Sequence, residues 1–324
     1  MNESLRDIAL TKSPVVLLKY LALLLMLAAF AITPLWVQSQ YWLYLFTTAL
    51  IYGIIATGVN VTNGYLGMLN LAVAGQIGLG AYVCTLLTLN GMPVPVALIL
   101  SAVAGFAVSA LIFSVFGRLD GFFFGLSTLS AGEIIRLLLR NLEELTNGVR
   151  GLRGYPNLTD SAAASFWVSF VTLTVVVAGL VIAIRSPIGL IWRSIRENTM
   201  KAAAAGINVQ IQKLLGYSIS GAIIALGGAY LALLMQYIDP AIAELKMLVQ
   251  VILMVALGGP GTISGPIFGA AAITLVPEIL RVANEWRLIA YGVTLIAIVL
   301  LLPQGIVGAV NQYRRLRRKR IRRT

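Results

Sequence analysis

The sequence predicts an all-α polytopic membrane protein of about ten transmembrane helices (between about eight and ten), with a glycine-broken third span. Three observations predict it. Apolar residues make up 59% of the 324 and charged residues 11%, for a mean hydropathy of +0.91. A soluble chain carries about a quarter charged residues, so this one has too little polar surface to face water on all sides. The apolar residues also gather in windows long enough to cross a bilayer. Within those windows Leu, Ala, Ile and Val follow no period-two alternation, which argues for helices and against a β-barrel.

In chain order the windows fall at roughly 15–37, 41–60, 64–89, 93–117, 121–141, 162–184, 214–237, 244–258, 264–281 and 287–303. The first follows Arg6, Lys12 and Lys19, as a signal peptide would. It is long enough to span, however, and lacks a small-x-small cleavage site before a polar mature sequence, so it is expected to be a retained span. An N-terminus inside the cell puts 1–20, 117–120, 185–213 and the tail in the cytoplasm, and these hold 17 basic and 4 acidic residues. The rest of the chain holds 7 basic and 8 acidic ones. That asymmetry predicts cytoplasmic N- and C-termini. The net charge of +12 rests heavily on 314–323, which carries eight of the 24 basic residues directly after the last window. Its position predicts a basic cytoplasmic tail (311–324) held by anionic lipid, not a nucleic-acid site.

Two stretches do not read as plain helices. The third window contains Gly64, Gly67, Gly75, Gly78 and Gly80 together with Asn63, Asn70 and Gln76. The second is GGPGTISGPIFG at 258–269. Glycine on this scale frees backbone groups that lipid cannot satisfy, and paired Gly/Pro-interrupted segments mark midplane sites in transporters. Close helix packing through small residues is the alternative, and both readings stay open.

Glu133 lies in the fifth window with Arg136 and Arg140 on the same helical face. Either the three line a polar path, or Glu133 and Arg136 form a neutralising structural pair. The segment 185–213 is the longest hydrophilic stretch inside the chain. Ser186-Pro187 reads as a helix start and Ile188, Ile191, Trp192 and Ile195 as an apolar stripe. Ala202 to Ala205 then give a small helical surface ending at a glycine C-cap, Gly206. Such a surface suits a partner's groove, or else an interfacial helix lies there on lipid.

Other chemistry is excluded by absence. The chain has no histidine, and its single cysteine, Cys84, has no partner for an internal disulfide. Zinc sites of the usual kind and a Ser-His-Asp triad are therefore ruled out. GPGTISG at 259–265 lacks the Gly-Lys-Ser/Thr ending of a phosphate loop, and no G-x-S-x-G or H-E-x-x-H occurs. The protein is expected to bind no cofactor and to have no ATPase site, so uphill transport needs a separate ATPase or an ion gradient.

Six segments, taken in order, carry a resemblance that covers nearly the whole chain. NGYLGMLNLAVAGQIGLGAYVCTL (63–86), GFFFGLSTLSAGEIIR (121–136), TNGVRGLRGYP (146–156), RSIRENTMKAAAAGINV (193–209), and 258–269 with LLPQGIVG (301–308) together resemble permeases of branched-chain amino-acid ABC importers. The resemblance implies a bacterial inner-membrane subunit paired with a second permease in a hetero- or homodimer. It further implies two ATPase subunits, which use the ATP, and an extracytoplasmic binding protein that delivers the substrate. It implies that Arg193, Arg196, Glu197, Ala204 and Gly206 face the ATPase. Gly64, Gly67, Asn70, Gln76, Gly80 and Glu133 would belong to the substrate pathway, and Thr146, Gly148, Gly151 and Arg153 would meet the binding protein. Two departures stand out: Asn70-Leu-Ala-Val73 where members often carry Ser-Leu-Gly-His, and an acidic run reduced to Glu197-Asn198. A branched-chain amino acid is the expected cargo, with urea or a short amide as the alternative. An ion-coupled secondary transporter and a membrane scaffold subunit are the readings from other classes.

Overall fold

The computed structural model describes residues 33–36 and 39–279. The window at 287–303, the 301–308 motif, the basic tail and most of the window at 15–37 lie outside the described residues. A helical turn at Thr33–Trp36 precedes α1 (Gln40–Val59), which continues as a π-helix over Asn60–Leu66. Then come α2 (Val73–Leu89), α3 (Val94–Phe116), α4 (Gly121–Asn141), α5 (Ala162–Arg185), α6 (Pro187–Glu197), α7 (Thr199–Ala204), α8 (Val209–Met235), α9 (Leu245–Gly258) and α10 (Gly265–Ile279). Strand β1 (Leu152–Arg153) pairs antiparallel with β2 (Tyr237–Ile238), Leu152 opposite Ile238 and Arg153 opposite Tyr237.

Five of these helices are long and apolar enough to cross a membrane: α1 with its π-helical extension, α3, α4, α5 and α8. Three shorter apolar helices, α2, α9 and α10, accompany them. The sequence windows find these helices with shifts of a few residues, except at one place. The expected third span over 64–89 takes a different form. Gly64 belongs to the end of the preceding helix, Gly67 terminates it, and Gly75, Gly78 and Gly80 sit inside the continuous helix α2. The break therefore stands before α2, not within it. The helix winds on as a π turn whose Asn60 and Asn63 side chains bond the 261–262 turn and the Asn70 amide, and left-handed Gly67 then ends it.

Helix α8 is the centre of the bundle and packs on α1, α2 and α3. Within its most apolar window 67% of residues are buried, against 22% for α5, whose outer face is left for lipid. Small residues set the spacing. A Cβ on Gly80 would stand 1.9 Å from the carbonyl oxygen of Ala225 on α8, so the two helices touch backbone to backbone there. Helices α9 and α10 form an antiparallel pair closed by the 258–265 turn, and α10 lies along α1.

The connections sort to two ends. At one, Lys213 lies 3.6 Å from Asp120, joining the start of α8 to the α3–α4 turn. The chain between α5 and α8 lies at this same end, where α6 meets the π-helix. At the other end the β1–β2 pair ties the long α4–α5 connection to the end of α8. Tyr155 secures it from inside, its hydroxyl donating to the carbonyl of Ala232 at 3.0 Å. Burial pushes the Tyr155 phenol above its ordinary value.

Candidate functional site

From Gly67, which is left-handed (φ 69°), the chain runs without helix as far as Ala72. Non-helical backbone at membrane depth persists only where protein or water satisfies its polar groups. Side chains do so here. The Asn63 side-chain oxygen accepts from the Asn70 amide (3.0 Å), and Thr128 Oγ1 accepts from the Leu71 amide (3.1 Å). Asn70 Oδ1 accepts from the Ala72 amide (3.0 Å) and the Tyr217 hydroxyl (3.1 Å). Asn70 Nδ2 donates to Gln76 Oε1 (3.2 Å), and Gln76 Nε2 donates to Ser109 Oγ (2.8 Å). Asn70, Gln76, Ser109 and Thr128 are wholly buried. The network thus joins the break to α2, α3, α4 and α8.

The second glycine-rich stretch meets the first. Asn60 Oδ1 accepts from the Gly261 amide and its Nδ2 donates to the Thr262 carbonyl, both at 2.8 Å. Arg196, reaching across from α6, donates through Nη1 to the Gly64 carbonyl. A Cβ on Gly64 would come within 2.5 Å of the Gly261 amide, and one on Gly67 within 2.9 Å of Arg196 Cγ. The two stretches are about two hundred residues apart in sequence, and the Arg196 side chain covers their meeting point.

Helix α6 starts as the residues dictate: Ser186 Oγ accepts from the Ile188 amide (3.3 Å), and Pro187 occupies the first turn. Trp192 and Ile195 of its apolar stripe are buried, Ile191 is half-buried and Ile188 exposed. Asn198 caps α7 by accepting from the Lys201 amide (2.9 Å), and Gly206 closes it with φ 83°. Ala202 is buried against the bundle. Arg193, Glu197, Met200, Ala203, Ala204, Ala205 and Gly206 face outward, an exposed surface of small and charged residues.

Glu133 lies elsewhere, on α4. Its carboxylate accepts from Arg136 Nε at 2.9 Å on each oxygen and from Arg136 Nη2. Glu133 lines a cleft of ≈ 230 Å³ between α2, α4 and the start of α9, walled by Leu71, Leu129, Leu245 and Leu248, and Arg136 stands one turn further along α4. An isolated ionised carboxylate at the bilayer centre costs about 2.5–3.5 kcal/mol, which the bidentate pairing offsets.

A family model described as the branched-chain amino acid transport system permease component matches residues 41–301. The chain belongs to that family. Two relatives are similar over most of their length. The high-affinity branched-chain amino acid transport system permease protein LivM of Escherichia coli (strain K12) is 28% identical over 295 residues, covering 81% of this chain and 68% of the relative. LivH of Salmonella typhimurium is 25% identical over 283 residues, 79% of this chain and 91% of the relative. The probable LivH of Methanocaldococcus jannaschii is 28% identical over 149 residues, 43% of this chain and 47% of the relative. No solved structure matches the chain. The protein is thus a multi-pass permease subunit of the ABC importer class, and in that class the ATPase function belongs to other subunits.

In this permease the residues expected to meet a binding protein divide into two kinds. Thr146 is buried and its hydroxyl donates to the Leu139 carbonyl at 2.7 Å, while Gly148 and Gly151 take positive φ and are also buried. These three shape the loop. Arg153 is exposed on β1 and belongs to its surface. Gly64, Gly67, Asn70, Gln76 and Gly80 of the expected pathway are all engaged in packing or hydrogen bonding, and among the pathway residues Glu133 opens to a cleft. Asn60, Ser109, Thr128, Tyr217 and Thr262 complete the site and were not singled out from the sequence. Asn60 alone carried a signal, as an amide in an apolar window one turn before Asn63.

Proposed function

We propose that this permease subunit translocates a small amino acid, a branched-chain one, delivered by an extracytoplasmic binding protein and driven by two ATPase subunits that use the ATP. A second permease completes the pathway as a hetero- or homodimer. The observation that carries the reading is the Arg196 contact with Gly64. It connects the exposed α6–α7 surface directly to the broken, polar part of the membrane region. In this reading 185–213 is the coupling segment: Arg193, Glu197, Ala204 and Gly206 meet the ATPase, and Arg196 relays its movement inward.

The branched-chain cargo is supported by the similarity to LivM and LivH, permeases of high-affinity branched-chain amino acid transport. Ten membrane passages are supported by the eight apolar helices of the described region together with the two apolar windows that flank it. The cytoplasmic side is assigned to the end that carries α6 and α7. Arg118, Arg185, Arg193, Arg196, Lys201 and Lys213 gather there against two acidic residues, Asp120 and Glu197. The basic 311–324 tail and both termini belong to that side as well. Arg153 on the opposite end is then available to the binding protein.

Purification from native membranes followed by reconstitution tests the reading. The expected result is an ATPase in the complex and ATP-dependent uptake of leucine, isoleucine or valine. Uptake that persists without ATP and collapses with an ionophore overturns it in favour of an ion-coupled carrier. ATP-dependent uptake of urea or a short amide, with none of amino acids, overturns the cargo assignment alone.

A further inference from the structure

We infer that Glu133 and Arg136 hold the charged ends of a zwitterionic amino acid, with the neighbouring leucines receiving its aliphatic side chain. The inference rests on the proposed amino-acid cargo and assigns that cargo to residues. Four observations carry it. The Glu133 carboxylate keeps 47% of its side-chain surface exposed although Arg136 grips both of its oxygens. A charge at that position on a membrane-spanning helix must face water or protein, since lipid would not solvate it. Among the described residues the cleft beside it, ≈ 230 Å³, is lined by leucine, alanine and glycine, with Glu133 the single charged wall residue. The cleft also has a close-packed floor: a Cβ on Gly75 would lie 2.7 Å from the Gly132 main chain, so α2 and α4 touch backbone to backbone there and cannot close further at small cost.

The chemistry selects the ligand. Two opposite charges held side by side match a molecule whose ammonium and carboxylate sit on one carbon. Arg136 uses Nε and Nη2 on Glu133, which leaves Nη1 for an incoming carboxylate. The half-exposed Glu133 oxygens are left for the ammonium. A ligand with a single charge would satisfy half of the pair. A polar side chain would find no partner among Leu71, Leu129, Leu245 and Leu248 and would be rejected.

The test uses the complete transporter in proteoliposomes, with leucine as the probe. Glu133→Gln, Arg136→Gln and the double variant are compared for uptake, for copurification with the ATPase and for ATP hydrolysis stimulated by the binding protein. The expected result is uptake lowered at least tenfold in all three, with assembly and hydrolysis kept. A structural pair behaves differently: removing both charges together is nearly neutral for the fold, so wild-type uptake by the double variant overturns the inference. If the double variant fails to assemble, the charge swap Glu133→Arg with Arg136→Glu decides. Assembly with lost uptake supports the site, and restored uptake overturns it. A wild-type protein that moves no amino acid with ATP overturns the proposed function instead, so the two failures are distinct.

Discussion

The guanidinium of Arg196, on α6, donates to the carbonyl of Gly64 inside the π-helical turn that ends α1. One hydrogen bond thus spans the surface segment and the membrane region. Its aliphatic stem lies over Gly67 and its Nη1 is also beside Gly261, so three glycines share one arginine. A hydrogen bond from a charged donor contributes about 1.5–3 kcal/mol. Arg196→Ala is expected to lower substrate uptake at least tenfold while the ATPase subunits still copurify and hydrolyse ATP. Arg196→Lys is expected to recover little, because an ammonium cannot reach along the same planar fork. Parallel uptake and hydrolysis assays on the reconstituted complex check both.

Gly206 has φ 83° and nothing within 4 Å of the place a Cβ would occupy. A bulky residue there meets strain of about 1 kcal/mol, with open space around its Cβ among the described residues. Gly206→Trp is therefore expected to leave the permease folded and inserted but to spoil the surface that α7 offers. The readout is ATP hydrolysis that no longer responds to substrate-loaded binding protein. Unchanged coupled uptake counts against the coupling assignment.

The buried amide pair makes an opposite kind of prediction. Gln76→Leu removes the partner of both Asn70 Nδ2 and Ser109 Oγ. Each buried polar group left unsatisfied costs about 1–3 kcal/mol. A fall in thermal stability of the detergent-purified protein is expected, larger than that of an exposed change such as Asn90→Ala.

Gly80→Leu drives side-chain atoms into the Ala225 carbonyl, where even a Cβ would lie at 1.9 Å. Overpacking of this kind costs about 1–3 kcal/mol or more, and here it separates α2 from α8. Loss of folded protein from the membrane fraction is expected. Gly91→Ala, with open space around it but φ 80°, is expected to cost far less.

The Tyr155 phenol titrates above its ordinary 10.0 because it is buried. In the unfolded chain the phenol ionises near pH 10, whereas the fold holds it neutral. Its contribution is present in full below pH 10 and declines as pH rises beyond it. Tyr155→Phe should flatten that part of the alkaline stability curve and lose about 1 kcal/mol at neutral pH through the missing bond to Ala232.

Much of the helical frame was legible because it depends on local chemistry. The window at 121–141 coincides with α4, and Ser186-Pro187 and Gly206 mark where α6 begins and α7 ends for reasons contained in a few residues each. The Glu133–Arg136 pair was legible too, since residues three apart on a helix must meet. What the sequence hid is non-local. Nothing near Asn70 announces that Tyr217 will supply its third partner, nor does Gly64 announce Gly261. The family resemblance implies that Arg196 faces the ATPase; the residue is exposed, yet its guanidinium tip bonds the Gly64 carbonyl, a contact that nothing near Arg196 in the sequence announces.

From Gln40 to Leu66 the backbone is helical without interruption, 27 residues or about 40 Å. That makes it a rod as long as the membrane is thick, with the Arg196 contact at its foot. A joint in the middle would absorb a push applied there. This rod changes its winding once, from α to π at Asn60 beside its foot, and from there the α-helix runs unbroken to Tyr41 and Trp42 at the opposite end.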